Sequence, residues 1–138
     1  MLVLSADHAI ADEASFRNAL VSAHDLAALG SLVTLGIEPS FACAGYGYIR
    51  CGAEVGADTS GSAAGFEVDG FEVDGFVEKP DESTARSYLK QGNYLWNSCM
   101  FIVRPSVLIE EAELYCAQLL HHCRLTTASV TKGLDFIR

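Results

Sequence analysis

No apolar run in this chain approaches the roughly 18 residues that a membrane-crossing helix requires, so no bilayer-spanning segment is expected. Met1 to Ser5 is apolar but too short for the core of a signal peptide, and Asp7, His8, Asp12 and Glu13 follow at once. The chain reads as cytoplasmic. Basic residues are scarce: nine Lys and Arg stand against eighteen Asp and Glu, scattered rather than clustered. With a formal net charge of -9 and no basic stripe, nucleic acid is not an expected partner. The five cysteines are odd in number and have no CxxC spacing, which argues for reduced thiols over a disulfide framework. Cys116, His121, His122 and Cys123 are good zinc ligand types. On a helix, however, adjacent histidines point to different faces, so solvent-facing histidines and core thiols are expected instead.

What is present suffices for one modest core, since half of the 138 residues are hydrophobic. Leu2 to Leu4 is a short apolar run opening into Ser5-Ala6-Asp7-His8, the pattern of a buried strand with Asp7 at its tip. From Asp12 the period changes. Phe16, Ala19, Leu20, Ala23, Leu26 and Ala27 recur at helical spacing, with Asp12 as N-cap and Gly30 as stop. Leu32 to Ile37 reads as a second strand closed by Pro39. Strand, helix, strand opens an α/β layer, and the connection is long enough for a parallel crossover. Ser83 to Gln91 predicts a helix ended by Gly92. Tyr94 to Val103 predicts a strand broken by the polar Asn97-Ser98-Cys99. Pro105 opens a last helix with Leu108, Ala112, Tyr115 and Leu119 in a stripe.

Two segments break the pattern. Ala53 to Gly65 is small, polar and glycine-rich and reads as a loop. Phe66 to Gly70 (FEVDG) is repeated at once as Phe71 to Gly75. Five is odd, so a second copy flips the faces of a strand, and a bulge, a hairpin or a looped-out copy is expected. A duplication tolerated in a surface turn is favoured over a functional repeat.

Four short patterns carry chemistry. An Asp at a strand's end, Asp7, suits Mg²⁺ bridging phosphates, and alone serves equally well as a loop cap. Gly45 and Gly47 around Tyr46 allow a polar ring to lie against the main chain, or make an ordinary turn. In Glu78-Lys79-Pro80 the lysine suits a phosphate and the carboxylate accepts from hydroxyls; the bland alternative is a surface ion pair. Asn97 offers donor and acceptor in one side chain, as recognition of a vicinal diol requires, or simply forms a turn.

Taken in order, VLSADHAIADEASFRNA, LVTLGIEPS, GYGYIR, FVEKPDESTARSYLKQGNYLWNSCMF and LDFIR resemble the central part of mannose-1-phosphate guanylyltransferases, including those fused to a phosphomannose isomerase. The resemblance covers nearly the whole chain except the Gly-rich loop and Glu111 to Lys132. It implies a partial Rossmann-like (GT-A-like) α/β domain over residues 1–138, with a mixed, mostly parallel sheet flanked by helices. It implies transfer of GMP from GTP to mannose 1-phosphate, giving GDP-mannose and pyrophosphate, with Mg²⁺ as cofactor. By the family pattern Asp7 is a Mg²⁺ ligand and, with Lys79, a catalytic residue; Lys79 holds the sugar phosphate, while Glu78, Asn97 and the Gly47 backbone orient the mannose. These groups are then expected to converge at the sheet's C-terminal rim.

The departures point the other way. The family's GGxGxRLWP loop and its later SIDYAVMEK-like segment have no counterpart here, so a fragment inactive by itself is expected, with a non-catalytic remnant as the alternative. Cys99 stands where the family has Gly. A sheet short of its first strand exposes an apolar edge, and self-association is expected.

Overall fold

The structure is a computed structural model and describes residues 1–55 and 70–129. The elements run β1 (Leu2–Val3), α1 (Glu13–Ala28), β2 (Val33–Ile37), β3 (Tyr48–Val55), β4 (Gly70–Val77), α2 (Glu82–Gln91), β5 (Tyr94–Ile102) and α3 (Pro105–Ser129). This is the expected α/β architecture, a sheet with helices on it. The sheet direction differs from expectation: every ladder among the described residues is antiparallel.

The reason lies in β5. It pairs with β1, β2 and β3, and at Trp96 its two neighbours are Ile37 and Tyr48 while at Ile102 they are Leu2 and Val33. Since a strand has only two edges, β2 runs along one of them, and β1 and β3 share the other end to end. β1 and β2 do point the same way, as a strand–helix–strand unit should. A strand from far later in the chain has entered between them and runs against both. Apolar branched runs encode burial, not direction.

Local signals set the helix ends. The Asp12 side chain accepts from Ser15 N–H at 3.0 Å and starts α1. Asp81 caps α2 by accepting from Thr84 N–H at 2.8 Å, so the helix starts at Glu82, one residue before the expected Ser83. Gly92, at φ 74°, closes α2 in the left-handed region. One face of α1 buries Ala23 and Ala27 against Ile102, with Leu20, Val33 and Leu35 packed around them. A second cluster gathers Tyr48, Ala85 and Tyr94 with Val77, Tyr88 and Trp96 under α2.

α3 begins at Pro105 as expected, but the later part of its stripe stays in water. Tyr115 is 78% exposed and Leu119 63%. The helix kinks at Cys116 (φ -147°, ψ 47°), and Arg124 reaches across the kink to Glu113 at 2.6 Å. Cys116 and Cys123 are exposed rather than core thiols, because the helix face that carries them packs on nothing described.

The second FEVDG copy lies within β4, not in a turn, while the first lies outside the described residues except for Gly70. β4 pairs with β3 antiparallel, and the register slips between Arg50 and Cys51 and again between Cys51 and Glu54. Of the alternatives expected, a bulge, a hairpin or a looped-out copy, the ladder that takes up the second copy shows bulge-like register shifts. Of the expected loop, Ala53 to Val55 belongs to β3 and the remainder lies outside the described residues.

Candidate functional site

Three of the residues singled out from the sequence meet across adjacent strands. Gly47 immediately precedes β3, Glu78 immediately follows β4, and Asn97 lies within β5. Tyr48 pairs with Val77 on one side and Trp96 on the other, so the next row is Glu78, Gly47, Asn97. The Asn97 N–H donates to the Gly47 carbonyl at 2.8 Å and extends the ladder through that row.

Gly47 leaves a recess there. A Cβ at this position would stand 3.1 Å from Glu78 Oε2, 3.5 Å from Asn97 Cβ and 3.8 Å from Asn97 Nδ2. Its φ is not in the left-handed region, so the backbone does not demand glycine here; what glycine contributes is the open space. A carboxylate acceptor and an amide donor therefore flank an uncovered stretch of main chain. That combination suits a polyhydroxyl ligand.

Lys79 stands beside the recess. Its Nζ lies 3.4 Å from Glu78 Oε1, with both side chains about two-thirds exposed or more, so the pair itself contributes little and leaves the ammonium open to an anion. Its φ is 43°, and Cys99 has φ 58°; these are the only non-glycine residues at positive φ among those described. Both adjoin the recess, one next to Glu78 and the other two residues from Asn97. Strained backbone of this kind tends to gather at functional sites.

Further anchoring comes from a residue the sequence reading passed over. Tyr48, 1% exposed, accepts from Cys43 N–H and donates to Cys43 C=O, both at 3.0 Å, which pins the segment leading into Gly45 and Gly47. The second tyrosine of GYGY was its signal. Its partner Tyr46 packs edge-on to Trp96.

Asp7 occupies an exposed turn beyond β1. No contact among the described residues joins its carboxylate to Glu78, Lys79 or Asn97. The turn leaves β1 along the edge of β5 that β3 also uses, and the β1 and β3 stretches of that edge are separated by Ser98, Cys99 and Met100. The expectation of a C-terminal rim is corrected accordingly: in an antiparallel sheet adjacent strands end at opposite rims, and the recess lies at the junction of β1 and β3 beside β5.

A cavity of about 450 Å³ lies elsewhere, between α1 and the sheet, lined by residues such as Leu26, Leu35, Ile49, Val73 and Leu95. It carries none of Asp7, Gly47, Glu78, Lys79 or Asn97, and its mostly apolar lining suits packing more than chemistry.

Known proteins share this arrangement of sequence and fold. Mannose-1-phosphate guanylyltransferase of Escherichia coli (strain K12) is 46% identical over the whole chain, and the Xanthan biosynthesis protein XanB of Xanthomonas campestris pv. campestris (strain B100) is 40% identical. The chain spans about a quarter of their length, 27% in each case. Among solved structures, mannose-1-phosphate geranyltransferase from Thermus thermophilus matches with a TM-score of 0.77 and 31% identity, over 94% of this chain and 35% of that one. The pattern described as Nucleotidyl transferase runs over residues 1–137, and the chain belongs to that family.

Proposed function

We propose that this chain supplies the sugar-phosphate side of a mannose-1-phosphate guanylyltransferase, an enzyme that transfers GMP from GTP to mannose 1-phosphate and releases GDP-mannose and pyrophosphate. The observation that carries this reading is the recess over Gly47, with Glu78 and Asn97 on its walls and Lys79 at its mouth. Relatives named for that reaction are 41–46% identical throughout the chain.

In the reaction a phosphate oxygen of mannose 1-phosphate attacks the α-phosphorus of GTP in line, and the bond to the β-phosphate oxygen breaks. Placement and charge neutralisation do most of the work in such a transfer. Glu78 accepts from mannose hydroxyls, the Asn97 amide donates to them, and the bare Gly47 backbone lets the ring approach. Lys79 neutralises the sugar phosphate and holds its attacking oxygen in place.

Mg²⁺ fits this scheme through Asp7. Among the described residues no three metal-ligating side chains are grouped, but Mg²⁺ commonly takes one or two carboxylates and fills its sphere with phosphate oxygens and water. When bound, the ion neutralises charge on the nucleotide phosphates. Asp7, exposed in the turn that follows β1, is the carboxylate this chain offers.

Cytoplasmic placement is part of the proposal, as are the partners GTP and mannose 1-phosphate. No helix among the described residues is long and apolar enough to cross a membrane. The alternative reading is a non-catalytic protein that keeps the fold and binds at most a sugar phosphate.

Titration calorimetry with mannose 1-phosphate, and separately with GTP and Mg²⁺, tests both. Mannose 1-phosphate is expected to bind, and Lys79→Ala to weaken it about tenfold, the loss of one charge-assisted contact. Unchanged affinity in that variant removes the phosphate contact. Absence of binding by either ligand leaves the non-catalytic reading.

A further inference from the structure

We propose that Ser98 is a positioning residue for the recess: its hydroxyl closes a bulge in β5 that aims the Asn97 amide at the space over Gly47. The proposal rests on the sugar-phosphate reading of the site for its purpose, but its geometry stands independently.

Between Thr34 and Gly36, β2 advances past a single residue, Leu35. Over the same interval β5 advances from Asn97 to Phe101, so Ser98, Cys99 and Met100 face Leu35 alone. A bulge of this size interrupts the ladder and leaves backbone groups without strand partners. Ser98 Oγ takes up two of them, donating to the Leu35 carbonyl and accepting from Met100 N–H at 3.2 Å. Thr34 Oγ1 donates to the Met100 carbonyl at 3.1 Å and closes the other side. Ser98 is 3% exposed, the buried polar side chain of this region, so its hydroxyl is stable there only while both bonds hold.

The closed bulge has a directed outcome. Cys99 is held at φ 58°, which turns its N–H back onto Asn97 Oδ1 at 3.0 Å. A backbone N–H requires an acceptor, which fixes the amide's orientation: Oδ1 is engaged and Nδ2 is the free end. That free end lies 3.8 Å from where a Gly47 Cβ would stand. The chain of dependence therefore runs from the Ser98 hydroxyl, through the Cys99 backbone, to the donor that faces the ligand. An ordinary strand serine would do none of this, since its ladder would be made by the main chain.

The test uses the full 138-residue chain, ¹⁵N-labelled and ligand-free, followed by titration with mannose 1-phosphate. In Ser98→Ala the Cys99 amide is expected to exchange with solvent at least about tenfold faster, and the two Asn97 side-chain amide resonances to collapse toward free-amide positions. Mannose 1-phosphate affinity should fall about tenfold, and Ser98→Thr, which keeps the hydroxyl, should restore all three readouts. Should Ser98→Ala fail to fold, the isosteric Ser98→Cys, whose thiol is a weak donor, carries the same measurements. Unchanged Cys99 exchange and unchanged Asn97 resonances in the folded variant overturn the proposal. A wild-type chain that does not bind mannose 1-phosphate overturns the sugar-phosphate reading instead, and the ligand-free resonances still decide the role of Ser98.

Discussion

Cys99 occupies a conformation that L-residues adopt at a cost of about 1–2 kcal/mol, and glycine adopts freely. Cys99→Gly is expected to stabilise the chain by about 1 kcal/mol, part of the strain relief being lost to the more flexible unfolded glycine. A urea midpoint that does not rise in that variant would show that the strain is relieved elsewhere. Gly47→Ala tests the recess from the opposite side. Its Cβ would sit 3.1 Å from Glu78 Oε2, and since the φ there is open to any residue, folding should be nearly unaffected while mannose 1-phosphate affinity falls at least about tenfold. Calorimetry on a variant with wild-type unfolding behaviour reads this directly; equal affinity would mean the ligand does not approach Gly47. At this scale the sequence was informative about residue types. Glu78, Lys79 and Asn97 stood out as an acceptor, a cation and a combined donor and acceptor in motifs whose order resembles that of mannose-1-phosphate guanylyltransferases. The roles of Ser98 and Tyr48 were hidden, because a hydroxyl's partner is set by a bulge or a loop that no local pattern specifies.

Elements were legible where the chain itself carries the stop and start. Asp12 and Gly30 bracket α1, Gly92 ends α2, and Pro105 opens α3. Strand direction was not legible, because alternation and apolar runs look alike in either sense and β5 enters from far along the chain. The α2 cap has a measurable signature. Asp81 accepts bonds from the Ser83 hydroxyl and from Thr84, and these lower its pKa from 3.8 to about 2. A carboxyl whose folded value lies below its unfolded one contributes stability above the unfolded value and loses it as pH falls through the folded value. The α2 contribution should therefore be complete above about pH 4 and decline between about pH 4 and 2. Following the Thr84 amide shift through that range checks it; Asp81→Ala should abolish the transition, and a midpoint near 4 would show that the cap does not form.

For the whole molecule the notable quantity is apolar surface left in water. Leu2, Val3, Leu4, Leu32 and Ile37 are exposed around β1 and β2, Phe71, Val73 and Phe76 on β4, and Leu114, Tyr115 and Leu119 on α3. β4 also forms an edge with no further strand beside it among the described residues. Surfaces of this kind drive pairing with another copy. Light scattering across a concentration series should show species larger than a monomer; a monomer at all concentrations would mean that these residues are covered within the chain. Self-association was expected from a parallel sheet lacking a strand. The sheet is antiparallel, so the exposed side chains themselves are now the reason to expect it.

The centrality of β5 also orders synthesis. Three of the four described ladders include it, joining residues 2–3, 33–37 and 48–50 to residues 94–102. A nascent chain can close the β3–β4 hairpin once residue 77 has emerged, yet no other ladder can begin until Tyr94–Trp96 follows, and those to β1 and β2 are complete only with Ile102. Until Asn97 has emerged the recess over Gly47 lacks its third wall, and α1 and that hairpin have no common strand to hold them.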